Sequence, residues 1–342
     1  MEPSIAPSDT SPAPPTRAFG TVFAERMAQA RYADGQWSAA GIVPLEALSI
    51  HPAAHALHYG SSCFEGLKAF RISDERVALF RLDAHLARLA RSAELLCQPA
   101  PPLDLAESMI RDLVAATRAD VPEPPGALYL RPTLIGTEPN IGAAGSPSSE
   151  CLFYVLASPV GDYFAAGERA LTIAIEDTAM RSTPGFGQAK TGANYAAALR
   201  TVARARAEHG ADQVLFCPGG DVQETGASNF LLIDDERVLT KPLGDTFLHG
   251  VTRASLLRLA ADLGYEVIER DFTIDELRDW IRTGEAALSG TAAVLAGVGT
   301  MIHRGETLTV GDGNVGANTH RLREALTAIQ SGRAEDRHGW LS

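Results

Sequence analysis

Gly187-Gln188-Ala189-Lys190-Thr191-Gly192-Ala193-Asn194-Tyr195 sets one lysine among small residues, directly ahead of an Ala/Arg-rich stretch, Asn194 to His209, that reads as a long helix. Small neighbours let a lysine be held largely out of water, where its amine serves as a nucleophile. Downstream, Gln223-Glu224-Thr225-Gly226-Ala227-Ser228-Asn229-Phe230 carries a carboxylate on a strand-to-loop edge rather than on a solvated helix face. Around these two loops the chain alternates short apolar runs with amphipathic stretches. The fold class is therefore α/β of the α+β type.

Length and composition bound the rest. A chain of 342 residues exceeds the usual size of one core, so two domains are expected. Hydrophobic residues at 45% and charged residues at 21% describe an ordinary globular chain. The net charge of -12 argues against nucleic acid or an anionic membrane as partner. No apolar run approaches the ~20 residues of a membrane span. The nine histidines show no metal-ligand spacing, so no metal is expected. Cys63, Cys97, Cys151 and Cys217 form no CxxC pair and read as buried free thiols of a reducing, cytoplasmic compartment.

The Pro/Ser/Ala-rich residues 1–17 read as a disordered leader. A small α+β domain is expected over 18–162, with a hairpin turn at Asp34-Gly35, a helix capped by Asp83, a second from Leu105 to Thr117, and strands Ala127 to Ile135 and Cys151 to Ser158. Residues 163–170 read as the interdomain linker and 171–342 as a larger domain. That domain holds helices at Thr252 to Leu263, Ile274 to Arg282 and Ala317 to Ser331. Gly311-Asp312-Gly313-Asn314-Val315-Gly316 matches GxGxxG, but too little chain follows for a dinucleotide unit, so it reads as a surface turn.

A Schiff-base lysine and an acid to face a heteroaromatic nitrogen are the two groups that pyridoxal phosphate (PLP) chemistry asks of a protein. Lys190 and Glu224 are the candidates. The phosphate needs cations and backbone donors. Leu248-His249-Gly250-Val251-Thr252-Arg253 is a glycine loop entering a helix, so the amides of Val251 and Thr252 are free to meet an anion. Ser289-Gly290-Thr291-Ala292-Ala293 is a second small-residue turn. Arg81, Arg88 and Arg91 are equal candidates for the fixed cation on spacing alone.

These blocks, together with Phe64-Glu65-Gly66-Leu67-Lys68-Ala69-Phe70 and Leu128-Tyr129-Leu130-Arg131-Pro132-Thr133, resemble the class IV (fold-type IV) PLP aminotransferases, most closely the branched-chain amino-acid aminotransferases. The likeness runs from about Phe19 to Trp340. It implies a two-domain fold-type IV enzyme whose larger domain has a β-barrel-like sheet core. It makes Lys190 the catalytic Schiff-base lysine and proton shuttle, with Glu224 on the ring nitrogen and Tyr195 on the phenolic oxygen. Arg88, Val251, Thr252 and Thr291 then form the phosphate cup. Substrate carboxylates go to Thr291, Ala292, Tyr129 and Arg131, and Phe19, Tyr59, Phe64 and Tyr163 wall the aliphatic side chain. The implied reaction exchanges amino groups between branched-chain L-amino acids and 2-oxoglutarate. The implied assembly is at least a homodimer, in which the region Ile141 to Ala143 closes the neighbour's pocket. A fold-type IV enzyme for D-amino acids, amines or specialised amino acids is the alternative, followed by a non-catalytic PLP-binding protein. His249 and Gly297 stand where such enzymes usually carry proline.

Overall fold

The computed structural model describes residues 19–164 and 167–342. The expected leader lies outside them, as do residues 165 and 166 of the expected linker. Two eight-stranded sheets organise the chain.

The first sheet contains β1 (Arg26–Ala33), β2 (Gln36–Trp37), β3 (Gly41–Pro44), β4 (Ser62–Phe64), β5 (Leu67–Ser73), β6 (Arg76–Leu79), β7 (Ala127–Gly136) and β8 (Cys151–Val160). Its order is β2-β1-β8-β7-β5-β6, with β3 on β1 and β4 on β7, and every pairing is antiparallel. Asp34-Gly35 turns β1 into β2 with both residues at positive φ, as that dipeptide favours. One face is covered by α2 (Leu82–Leu95) and α3 (Leu103–Ala116). Leu82, Leu86, Leu89 and Ala93 fall on one stripe of α2, and Met109, Ile110 and Leu113 on α3. All are buried against Leu128, Leu130, Leu134 and Phe153 of the sheet.

Two local expectations change. Asp83 does not cap α2: the N-cap position is Arg81, at φ 53°, with no side-chain cap bond. Asp83 falls inside the first turn, where its charge suits the helix dipole instead. Cys97 is exposed rather than buried, in the positive-φ residue that follows α2, whereas Cys63, Cys151 and Cys217 are buried. Burial pushes the Cys63 and Cys151 thiols up to about 12, which leaves them inert. A five-residue helix, α1 (His55–Tyr59), is too short to announce itself by periodicity.

The second sheet contains β9 (Leu171–Glu176), β10 (Gln213–Phe216), β11 (Asn229–Ile233), β12 (Arg237–Thr240), β13 (Glu266–Glu269), β14 (Glu285–Gly290), β15 (Val294–His303) and β16 (Glu306–Thr309). It runs β10-β9-β15-β14-β11-β12-β13, with β16 on β15, and curls into a half-barrel of mixed strand direction. The helices are α4 (Gly192–His209), α5 (Val251–Asp262), α6 (Ile274–Trp280) and α7 (Ala317–Gln330). Leu256, Ala260, Leu322 and Leu326 seal α5 and α7 onto Leu231, Ala287 and Leu295. The Gly311 to Gly316 segment is the turn that leads into α7.

The loop carrying Lys190 is clamped between the two halves. The Phe64 N–H donates to the Lys190 carbonyl at 2.9 Å, the Lys190 N–H donates to Ser92 Oγ at 3.0 Å, and Cys63 bridges Thr191. On the other side, a Cβ on Gly187 would lie 2.1 Å from the Thr246 carbonyl carbon. Backbone cannot yield as a flexible side chain does. Gly187→Ala is therefore expected to cost about 1–3 kcal/mol of stability, measured by thermal denaturation.

Candidate active site

Lys190 Nζ lies 2.8 Å from the Tyr195 hydroxyl, one turn into α4, whose N-cap Thr191 accepts from the Ala193 N–H. Phe64 packs 5.5 Å from the Tyr195 ring, with the lysine amine 5.1 Å above its centroid. The pocket around this amine is bordered by Arg88, Arg181, Glu224, Val251, Thr252, Ser289 and Thr291, so the two sequence-distant loops do meet.

One end of the pocket is acidic and fully buried. Glu224 accepts from the Leu248 N–H at 2.9 Å and from the Asn229 amide at 3.0 Å, and it pairs with Arg181 at 2.6 Å. Burial pushes its carboxyl up to about 7, against the opposing pull of Arg181 and the Leu248 amide. Asn229 reaches it only because Gly250 lacks a side chain: a Cβ there would stand 1.9 Å from Asn229 Oδ1.

The other end is cationic. Arg88 is fixed by Glu65, which receives Nε at 2.7 Å and Nη2 at 2.8 Å, while Nη1 donates to the His249 carbonyl at 3.0 Å. His85 Nδ1 lies 2.7 Å from the same carboxylate. Burial works against the charge on Glu65, yet Arg88 and His85 hold its carboxyl well below the usual range. Burial also keeps His85 below its ordinary value, so it meets Glu65 as a neutral N–H donor. Beside Arg88 the N-terminus of α5 has no side-chain cap, which leaves its first amides free. Ser289 Oγ is buried without a partner. The three candidate arginines differ in place: Arg81 bonds Ser255 and lies over Trp340, Arg91 bonds Glu94 at the surface, and Arg88 borders the pocket.

Next to the amine, Arg131 Nη2 donates to the Tyr129 hydroxyl at 2.9 Å and its guanidinium lies 4.7 Å over Phe64. Arg131 Nε is buried without a partner. The Tyr129 hydroxyl fills the space a side chain at residue 66 would take, 2.0 Å from a Cβ built on Gly66. Phe19 meets the Tyr129 ring edge-on at 5.0 Å. Tyr59 and Tyr163 stand apart: the Tyr59 hydroxyl donates to the Ile141 carbonyl, and Tyr163 lines a second cavity with Ala292. Thr291 therefore borders the lysine pocket, and Ala292 the space behind it.

Arg181, Asn229, Glu65, His85 and Ser289 join the site without having been singled out in the sequence. Glu65 has a legible signal, a carboxylate inside the apolar run Cys63 to Leu67, which implies a buried partner. Arg181 has none, whereas Asn229 lies in the same small-residue stretch as Glu224. Among the described residues no cluster of His, Cys, Asp and Glu is arranged to hold a metal, and no helix is long and apolar enough to cross a membrane.

A pocket with a reactive amine at its centre, a buried carboxylate at one end, and an arginine with an uncapped helix terminus at the other fits a phosphorylated pyridine aldehyde. The unpartnered Ser289 hydroxyl and the free α5 amides are what such a group would satisfy.

Residues 62–299 match the family Amino-transferase class IV, and the chain belongs to that family. It is 39% identical over 333 residues to a probable branched-chain-amino-acid aminotransferase of Streptomyces coelicolor, covering 94% of this chain and 91% of that one. It is 38% identical to the branched-chain-amino-acid aminotransferase of Mycolicibacterium smegmatis, with 95% and 91% covered. Among solved structures, the T.th. branched-chain amino acid aminotransferase with pyridoxamine 5'-phosphate superposes with a TM-score of 0.76 at 29% identity, covering 92% of this chain and 97% of that one. The branched-chain amino acid aminotransferase from Escherichia coli gives 0.73 at 26%, covering 92% and 98%.

Glu224 feels the charges of Arg181, Lys190 and Arg88, yet burial outweighs them. A carboxyl raised in the folded state adds stability that is complete below its ordinary value, near 4.5, and is lost as pH rises through about 7. In cofactor-free protein, Glu224→Gln is expected to gain on the wild type across that window by on the order of 3 kcal/mol. Adding PLP should reverse the order. Thermal denaturation at stepped pH, with and without PLP, measures both.

Proposed function

We propose that the chain is a PLP-dependent aminotransferase that moves amino groups between branched-chain L-amino acids and 2-oxoglutarate, giving branched 2-oxo acids and L-glutamate. The observation that carries the reaction type is the Lys190 amine, 2.8 Å from the Tyr195 hydroxyl, between the Glu224 end and the Arg88 end of one pocket. The substrate class rests on the relatives and on the pairing of an apolar wall, Phe64 and Phe19, with Arg131.

When bound, PLP supplies an electron-accepting ring that weakens the bond from the substrate Cα to its hydrogen. Every other task falls to the chain. Arg88 and the Val251, Thr252 and Thr291 groups would hold the phosphate, and Glu224, backed by Arg181 and Asn229, would stabilise a proton on the ring nitrogen. Lys190 Nζ would take the Cα proton and return it two atoms away, beyond the substrate nitrogen, acting as base and then acid. Tyr195 keeps that amine on line. Tyr129 and Arg131 receive carboxylate, so one pocket accepts leucine's apolar chain and glutamate's second charge.

L-leucine, L-isoleucine, L-valine and L-glutamate are each expected to discharge the visible cofactor band of the purified holoenzyme, and 2-oxoglutarate to restore it. A band discharged only by D-isomers or simple amines would replace the substrate class. A band that no amino donor discharges would replace catalysis by mere cofactor binding.

We also place the enzyme in the cytoplasm, as a homodimer or larger. Ile141, 69% exposed at the tip of a loop anchored by Tyr59 and His55, supports a partner contact there. Sedimentation is expected to give at least a dimer, and Ile141→Asp to shift it toward monomer with loss of turnover. A fully active monomer would remove this assignment.

A further inference from the structure

Lys68 is the charged group of the interdomain region that the chemistry above leaves unused. It sits on β5, directly paired with Tyr129 of β7, so both side chains leave the first sheet on the same face. Its ammonium crosses to the second half of the chain and donates to the Ala292 carbonyl at 2.9 Å. No carboxylate of the described residues forms an ion pair with it. A largely buried cation resting on a neutral carbonyl, with further N–H groups to spare, is an expensive arrangement for structure alone.

The carbonyl it holds belongs to an unusual turn. Gly290 pairs with Val294, so Thr291, Ala292 and Ala293 form a three-residue hairpin loop between β14 and β15. Val294 has φ 63°, a conformation that costs a β-branched residue strain. Among the described residues, none accepts the N–H of Thr291, Ala292 or Ala293. Successive free amides of this kind form a concavity for an anion. The turn is thus strained, tethered through one carbonyl, and open at its amides.

On the reading of the site as an aminotransferase, we propose that Lys68 is a positioning residue for carboxylate recognition: from across the domain boundary it holds the Ala292 turn with its amides toward the substrate carboxylate, and its charge favours carboxylates over neutral analogues. The charge is itself adjustable. Burial pushes the Lys68 ammonium down to about 8, with the Asp162 carboxylate opposing. The other charged groups bordering this space are Arg323, Glu324 and Arg333 of the α7 side, and Arg131 lies on the same strand as the paired Tyr129. Arg323 is already paired with Glu168, and Arg333 with Glu324.

The test compares two dead-end inhibitors of the PLP-saturated enzyme, 4-methylpentanoate and its neutral amide, in wild type, Lys68→Met and Lys68→Arg. Lys68→Met is expected to weaken the acid about tenfold or more and the amide by less than about twofold, and to raise KM for leucine more than it lowers kcat. Lys68→Arg is expected to restore most acid binding. In the wild type the acid is expected to weaken as pH rises above about 8, and in Lys68→Met to stay flat. The wild-type series requires no variant to fold. Equal weakening of acid and amide, or no pH dependence in the wild type, would overturn the assignment. Failure of the wild type to turn over leucine overturns the functional reading instead. The acid–amide difference stays measurable without turnover, from each inhibitor's shift of the visible cofactor band.

Discussion

The backbone hydrogen bond from Phe64 to the Lys190 carbonyl joins the two halves of this chain at the point where chemistry is needed. A lysine on a free loop would spend its time in water. Here its carbonyl, its N–H and the following residue are each bound by the first sheet or by Ser92 of α2, while Gly187 presses the loop's start against the Thr246 backbone. The amine inherits its position from both sheets, and neither sheet alone makes a site. This is why the pocket lies between the halves, where binding sites of two-part proteins commonly form.

Around that fixed amine the electrostatics are polarised rather than neutral. Glu224 is buried deeply enough that its own ionisation is contested, and it is supported by an arginine, an amide and a backbone N–H. Arg88 carries the opposite charge at the far end, already matched by Glu65 through two nitrogens. That match has two effects. It holds the guanidinium in one orientation, and it reduces the net charge that the pocket must bury before an anion arrives. The uncapped α5 terminus then supplies directed N–H groups that carry no net charge to neutralise.

Much of this could be read from residues because it resides in loops of small residues with a single functional group. Lys190, Glu224 and the Gly250 to Thr252 helix start each stand out by local context, and the structure gathers them. The long helices and strands are legible from periodicity, as with Leu86, Leu89 and Ala93 on α2. Helix phase alone cannot choose among Arg81, Arg88 and Arg91, since the choice depends on which face meets the other half of the chain. Asp83 reads as a cap because a carboxylate there is favourable for two reasons, and only backbone geometry separates them. Arg181 and Lys68 leave no local mark: each acts on a partner far away in the chain, and such pairs exist only after folding. Cys97 misleads for the opposite reason, an apolar pattern that ends one residue too early.

Gly66 and Tyr129 make one object out of two positions. The hydroxyl that reaches toward Arg131 occupies the volume a side chain at residue 66 would fill. Heritable change at these sites is therefore coupled. Any residue other than glycine at 66 forces the ring at 129 to shrink or swing, and a smaller residue at 129 frees 66 to enlarge. A lineage could cross between the two states only through an intermediate with either a collision or a hole beside the reacting amine. The pair thus works as a historical lock on the Tyr129–Arg131 side of the site, and heritable change there should enter through other walls first.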